Sequence, residues 1–241
     1  MSERLRGRLA LVTGATAGIG RACALALARE GANVIATGRR EERLRSLGET
    51  APEHRAQFHA MPGDLADGSF VERLIGAATS ADILVNNAGI LTYAPFLELR
   101  PEDCEEMFRV NVLAAMHLSQ GIGAAMAARR SGHVVMITSL AARTVNRFGV
   151  AYAATKHALS AIAKGMRLEL KTSGIRVTEI APGMVDTDIR ESSTHPDVVA
   201  AIRGRRFAPL RPEDVADAVV YATTADDNCC VDLIELRPRE S

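Results

Sequence analysis

Tyr152 and Lys156 lie four residues apart in an alanine-rich stretch. At helical spacing two such side chains share one face. A phenol near its free pKa of about 10 is a poor base at neutral pH. A neighbouring ammonium favours the phenolate and lowers that value, so the pair can exchange a proton with a bound oxygen. Ser139 follows the β-prone run His133–Thr138. At a strand end its hydroxyl can donate to a carbonyl oxygen as negative charge develops there. Lysine occurs only at positions 156, 164 and 171 among 29 basic residues. A compact ammonium is therefore a specific choice in this chain, because a planar guanidinium does not replace it.

A second constellation lies near the amino terminus. Thr13-Gly14-Ala15-Thr16-Ala17-Gly18-Ile19-Gly20 joins an apolar run to an alanine-rich one. Glycines at a strand-to-helix turn let a pyrophosphate approach the backbone and the free N–H groups of the helix start. Gly14 permits the turn, Gly18 lets phosphates close in, and Gly20 lets the helix pack on its strand. The competing reading is a glycine-rich turn with no ligand. About twenty residues on, at the end of the second strand, a dinucleotide fold places either an acid that selects NAD or an arginine that accommodates a 2′-phosphate. This chain reads Thr37-Gly38-Arg39-Arg40, with no acid until Glu41. Arg39 and Arg40 point to NADP(H).

These groups need a scaffold that holds strand ends and helix starts together. Short runs at Leu9–Thr13, Val34–Thr37, Gln57–Met61, Asp82–Asn86, His133–Thr138, Ile175–Ile180 and Val231–Leu236 read as strands. Between them lie helical stretches at about 19–29, 41–49, 68–78, 102–129, 150–172 and 213–224. Gly31 reads as a helix-ending cap. Strands apolar at successive positions are buried on both faces, as parallel sheets require. Alternating strand and helix predicts one α/β domain over 1–241, a doubly wound (Rossmann) parallel sheet. The stretch to Phe207 reads as irregular, and its 184–207 portion is the substrate loop.

Composition excludes other classes. Lys+Arg and Asp+Glu are both 29, so no net field draws the protein to nucleic acid. Hydrophobic residues make up 47% of an ordinary globular mixture. No run approaches the roughly 20 apolar residues of a membrane span. Cys23, Cys104, Cys229 and Cys230 form no C-x-x-C pair, and no Cys/His spacing suits a metal. Reduced thiols and the absence of a signal-like leader predict a soluble, cytoplasmic protein.

With these residues in place, the sequence resembles the short-chain dehydrogenase/reductase family over essentially its whole length. Residues 13–20 are similar to its TGxxxGxG motif, and Asn86-Asn87-Ala88-Gly89 to its NNAG motif. Asn111, Ser139, Tyr152 and Lys156 match its catalytic asparagine, serine, tyrosine and lysine in order and spacing. Asp64-Leu65 falls where the family contacts adenine. Pro182-Gly183, with Val185 and Thr187 after it, resembles the nicotinamide-side loop. The resemblance implies a hydride transfer in which Ser139 and Tyr152 hold the substrate oxygen and Tyr152 supplies its proton. It also implies that Lys156 binds the nicotinamide ribose and depresses the tyrosine pKa, and that Asn111 supports a water relay. The Arg143–Asn146 and Asp232–Pro238 segments look similar to the 3-hydroxy acid/serine dehydrogenase and clavulanate-aldehyde reductase branch. A small carbonyl or alcohol, such as a hydroxy acid or aldehyde, is the implied substrate. Leu140, Val145, Met184 and the 188–207 segment are expected to line its pocket.

Three alternatives stand beside that reading: a non-catalytic NADP(H)-binding redox sensor, a 3-oxoacyl-(acyl-carrier-protein) reductase, and an epimerase or dehydratase. The last usually carries a larger carboxyl-terminal region than 241 residues allow. The six histidines, at 54, 59, 117, 133, 157 and 195, read as surface or packing. Cys23 reads as packing, and Arg203, Arg205 and Arg206 as a solvated cluster. Family members of this length imply a homotetramer, built through the helices at 102–129 and 150–172, whose outer faces are expected to carry Met107, Met116 and Met126.

Overall fold

The strand-like runs are short and rich in Val, Ile, Leu and Ala, so each has two apolar faces to bury. In the computed structural model they do so as one parallel sheet between two layers of helices. The structure describes residues 3–50, 57–190, 192–204 and 207–239. In chain order the elements are β1 (Leu9–Thr13), α1 (Gly18–Arg29), β2 (Asn33–Gly38), α2 (Glu41–Thr50), β3 (Phe58–Pro62) and α3 (Gly68–Ala77). Then come β4 (Ile83–Asn86), α4 (Pro101–Phe108), α5 (Ala114–Ala128), β5 (Gly132–Ile137) and α6 (Val150–Leu170). The chain ends with β6 (Ile175–Pro182), α7 (Pro196–Arg203), α8 (Pro212–Thr223) and β7 (Leu233–Leu236).

The sheet order is β3-β2-β1-β4-β5-β6-β7. After β3 the chain crosses to the far side of β1, where Ala10, Leu11 and Val12 pair with Ile83, Leu84 and Val85. Helices leave in opposite directions at this switch, and the crevice outside the carboxyl ends of the strands is where such folds bind ligands. Alternate residues of β1 serve different layers. Ala10 and Val12 pack with Leu27 and Val219 of α1 and α8. Leu11 faces Leu74, Leu118 and Ile122 of α3 and α5. Truncating one such buried leucine to alanine costs about 2–5 kcal/mol.

Three features depart from the sequence reading. The helix expected over 102–129 is interrupted by a π-turn, Arg109–Leu113, between α4 and α5. Such an extra residue often marks a functional position, and here it turns Asn111 inward. Met107 and Met126, expected on outer faces, are fully buried, whereas Met116 is exposed. The stretch read as irregular contains α7, whose start is marked by Pro196 in the first turn and His195 accepting from the Asp197 amide at 3.2 Å. Proline followed by an acid is a helix-start signal that the sequence carried. His54, Arg205 and Arg206 lie outside the described residues. Among the described residues no helix is long and apolar enough to cross a membrane.

Candidate active site

The crevice begins at the tip of β1. Gly14 has φ +68°, and a Cβ there would stand 2.8 Å from Asn87 Nδ2 and 2.9 Å from Ala88 Cα. Gly18 has φ +52°, and its Cβ would meet Thr187 Cγ2 at 2.8 Å. Both positions therefore need glycine for conformation and for space. The NNAG segment is laced to the same turn. Thr13 Oγ1 donates to the Val85 carbonyl at 3.2 Å and accepts from the amides of Asn87 and Ala88 at 3.0 and 2.9 Å. Asn87 Nδ2 donates to the Thr13 carbonyl at 2.8 Å.

Arg40 follows β2 and reaches back to Thr16 of the glycine loop, its Nη2 donating to Thr16 Oγ1 at 2.9 Å. Arg39 opens on the same end of the crevice. Arg43, which the sequence reading did not single out, joins them from α2, three residues after Arg40. Its place in the first turn of α2, directly after the Arg39-Arg40 pair, is a signal that the sequence carried. Its Nη1 stands 4.0 Å from Asp188 Oδ2 across the mouth. Asp64 and Leu65 line the neighbouring wall, and Pro182, Gly183, Val185 and Thr187 line the opposite one.

At the deep end, Tyr152 and Lys156 project from α6 toward the ends of β4 and β5. The Lys156 Nζ donates to the Ile137 carbonyl at 3.0 Å. Burial lowers its pKa from 10.5 to about 8, because a desolvated ammonium is disfavoured. Tyr152 is buried beneath Tyr93, whose ring meets it edge-on at 6.1 Å. Burial pushes the Tyr152 phenol above its ordinary value, Tyr93 adds to the rise, and the Arg190 charge and a hydrogen bond with Ser139 oppose it. Among the described residues the opposing cation is Arg190, and the Lys156 ammonium is turned to a backbone carbonyl.

Ser139 has extended backbone, and its Oγ accepts from the Ala141 amide at 3.1 Å as the cap of a short turn, Leu140–Ala142. With a lone pair held by that amide, the hydroxyl proton is free to point at an oxygen beside Tyr152. Asn111 is fully buried behind the crevice wall. Its Oδ1 accepts from the Ile90 amide at 2.7 Å, and its Nδ2 donates to the Ile90 carbonyl at 2.9 Å and to Thr155 Oγ1 at 3.1 Å.

The crevice measures about 1210 Å³, and apart from Asn111 every residue assigned from sequence to catalysis or cofactor borders it. Leu140 and Met184 form part of the substrate-side wall, with Tyr93, Ile189, Arg190 and Phe207. Val145, expected in the pocket lining, is exposed and does not border the crevice. Tyr93 and Arg190 belong to no motif, and only the fold brings them to Tyr152.

Residues 8–197 match the short chain dehydrogenase family, to which the chain belongs. It is an oxidoreductase of that class. An uncharacterised oxidoreductase of Staphylococcus haemolyticus is 34% identical over 97% of this chain and 98% of its own. A metagenomic short-chain oxidoreductase in complex with NADP superposes with TM-score 0.83, at 29% identity over 98% of this chain and 99% of the other. A gluconate 5-dehydrogenase from Burkholderia cenocepacia, in complex with NADP and tartrate, gives TM-score 0.84 at 28% identity over 98% and 95%.

Proposed function

We propose that this protein is an NADP(H)-dependent oxidoreductase that interconverts a small carbonyl and its alcohol, with Tyr152 as the proton donor and acceptor. The observation that carries the reading is the pairing of Tyr152 with Ser139 at the foot of a crevice whose other end is built for a phosphorylated dinucleotide. Gly14 and Gly18 leave a backbone cradle that any Cβ would fill. Arg39, Arg40 and Arg43 supply the charge that a 2′-phosphate needs. NADP in the related structures supports the same coenzyme. When bound, the nicotinamide supplies hydride for reduction and accepts it for oxidation.

The chain's own part follows from the geometry. Ser139 and Tyr152 donate to the substrate oxygen, fixing it and stabilising the charge that grows there. In reduction the Tyr152 proton passes to that oxygen, and the phenol is reprotonated from solvent. Lys156 sits beside Gly89, whose added Cβ would lie 3.7 Å from Nζ, and orients the ribose. Asn111 ties the Ile90 segment to α6 and keeps that wall closed.

Arg190 gives the substrate side a cation close enough to act on Tyr152. A guanidinium there suits a carboxylate carried near the reacting carbon. The tartrate in the Burkholderia structure is a hydroxy acid and supports this class. Assayed with NADPH and NADH over neutral aldehydes, oxo acids and an acetoacetyl thioester, the protein is expected to reduce oxo acids with NADPH. Tight NADPH binding with no carbonyl reduced would instead indicate a sensor, and preference for the thioester would indicate an acyl-chain reductase.

A further inference from the structure

Among the described residues the most enclosed charge is the carboxylate of Glu179, on β6, at 1% exposure. Taking an ionised carboxylate out of water costs several kcal/mol unless partners satisfy its lone pairs. Three partners do so. Oε1 accepts from Arg143 Nη2 and from Thr138 Oγ1, both at 2.9 Å, and Oε2 accepts from Ser160 Oγ at 3.1 Å. Arg143 closes the ring by donating from Nη1 to Ser160 Oγ at 2.8 Å. Its Nε turns outward to Glu235 on β7 at 3.2 Å.

Each partner sits beside a residue of the proposed site. Thr138 immediately precedes Ser139. Arg143 follows the Leu140–Ala142 turn that Ser139 caps. Ser160 lies four residues after Lys156 and eight after Tyr152 on α6, and therefore on their face of the helix. One carboxylate thus grips both flanks of the Ser139 turn and the helix that carries Tyr152. A buried ion pair is weak evidence for a stabilising role, since apolar replacements of similar volume are often neutral or better. Its placement between the two halves of the catalytic machinery fits a geometric role.

We propose that Glu179 is a positioning residue that, through Thr138, Arg143 and Ser160, sets the Ser139 hydroxyl against Tyr152. The proposal rests on the function proposed above. The test is a double-mutant cycle on the full chain, reading kcat for carbonyl reduction, KM for NADPH and thermal midpoint. Glu179→Met is expected to lower kcat roughly 10- to 100-fold, the scale of a misplaced catalytic group, with KM for NADPH within about twofold. In a Ser139→Ala background the same substitution should change kcat by less than about twofold, because the hydroxyl it misplaces is gone. Thr138→Val, which removes one donor at nearly constant volume, should repeat the pattern in milder form and serves if Glu179→Met does not fold. Equal factors in both backgrounds, or parental kcat in both variants, would overturn the proposal. If Ser139→Ala and Tyr152→Phe each left kcat at the parental value, the functional reading itself would fall, and this inference with it.

Discussion

The Lys156 ammonium stands 5.7 Å from the centre of the Tyr152 ring, and its Nζ donates to the Ile137 carbonyl at 3.0 Å. The two share a helical face, yet the lysine bonds to the end of β5. Its folded pKa of about 8 lies below the free value of 10.5. The unfolded chain therefore binds the extra proton between those values, and stability rises with pH through that window. At neutral pH the folding penalty is fully present. Lys156→Met should raise the thermal midpoint at pH 7 while removing carbonyl reductase activity. A lowered midpoint, measured by calorimetry without coenzyme, would contradict the burial argument.

Tyr152→Phe deletes one hydroxyl and little volume, so fold and NADPH binding should persist. Turnover should fall by at least the roughly 10²–10⁴-fold that positioned proton transfer contributes. Steady-state rates with fluorescence titration of NADPH check both halves. Lys156→Arg should also be damaging, since the wider fork has no room beside the Ile137 carbonyl.

Because burial holds the Tyr152 phenol protonated, reduction should be flat through neutral pH, and alcohol oxidation should climb on the alkaline side. Arg190 opposes the rise in that pKa. Arg190→Leu should therefore move the oxidation profile to higher pH. It should also raise KM for an oxo acid roughly tenfold, as expected for one lost charge-assisted hydrogen bond, while sparing a neutral aldehyde. Identical pH profiles for the two proteins would dissociate Arg190 from the tyrosine.

Arg39, Arg40 and Arg43 converge on one end of the crevice. Arg39→Asp should cut the NADPH preference by about 10- to 100-fold, the worth of a charge-assisted contact to phosphate. Ratios of kcat/KM for the two coenzymes measure it, and equal efficiency with both in the parent protein would refute the assignment.

His133 predicts how the fold fails in acid. Thr178 Oγ1 already donates to the Val231 carbonyl, at 2.6 Å, so the His133 Nε2 at 2.8 Å must be the donor in that contact. Nδ1 is then an unprotonated nitrogen with no partner among the described residues. Burial, with Arg176 nearby, lowers the pKa from 6.5 to about 3. Only the unfolded chain binds a proton between those values, so stability drains as pH falls through the window. The slope is about 1.4 kcal/mol per pH unit at most. His133→Leu should flatten the decline in urea midpoint between pH 6 and 4, and an unchanged slope would place the acid sensitivity elsewhere.

Assembly is the remaining expectation. Phe108, Leu113 and Met116 on α4, the π-turn and α5, with Val150 and Leu168 on α6, are exposed apolar residues. They suit the homotetramer that the family resemblance implies. A monomer mass by light scattering would exclude it, and Leu113→Glu should shift the assembled protein toward smaller species.

The sequence by itself determined what is local. Strand and helix periods set the alternation, since apolar runs such as Ile83–Val85 must be buried on two faces. Gly14 and Gly18 were legible because a left-handed backbone close to other atoms tolerates little else. Tyr152 and Lys156 were legible because helical spacing alone places them on one face. The tertiary structure decided everything that depends on separation through space. It brought Tyr93 and Arg190 to Tyr152 from loops with no motif. It buried Met107 and Met126, which helical periodicity could not distinguish from outward positions. It left Val145 exposed and placed Thr138, Arg143 and Ser160 around the Glu179 carboxylate. Whether a lysine lowers its neighbour's pKa is settled by distance and desolvation. Both are properties of the packed fold, and four residues of sequence separation do not contain them.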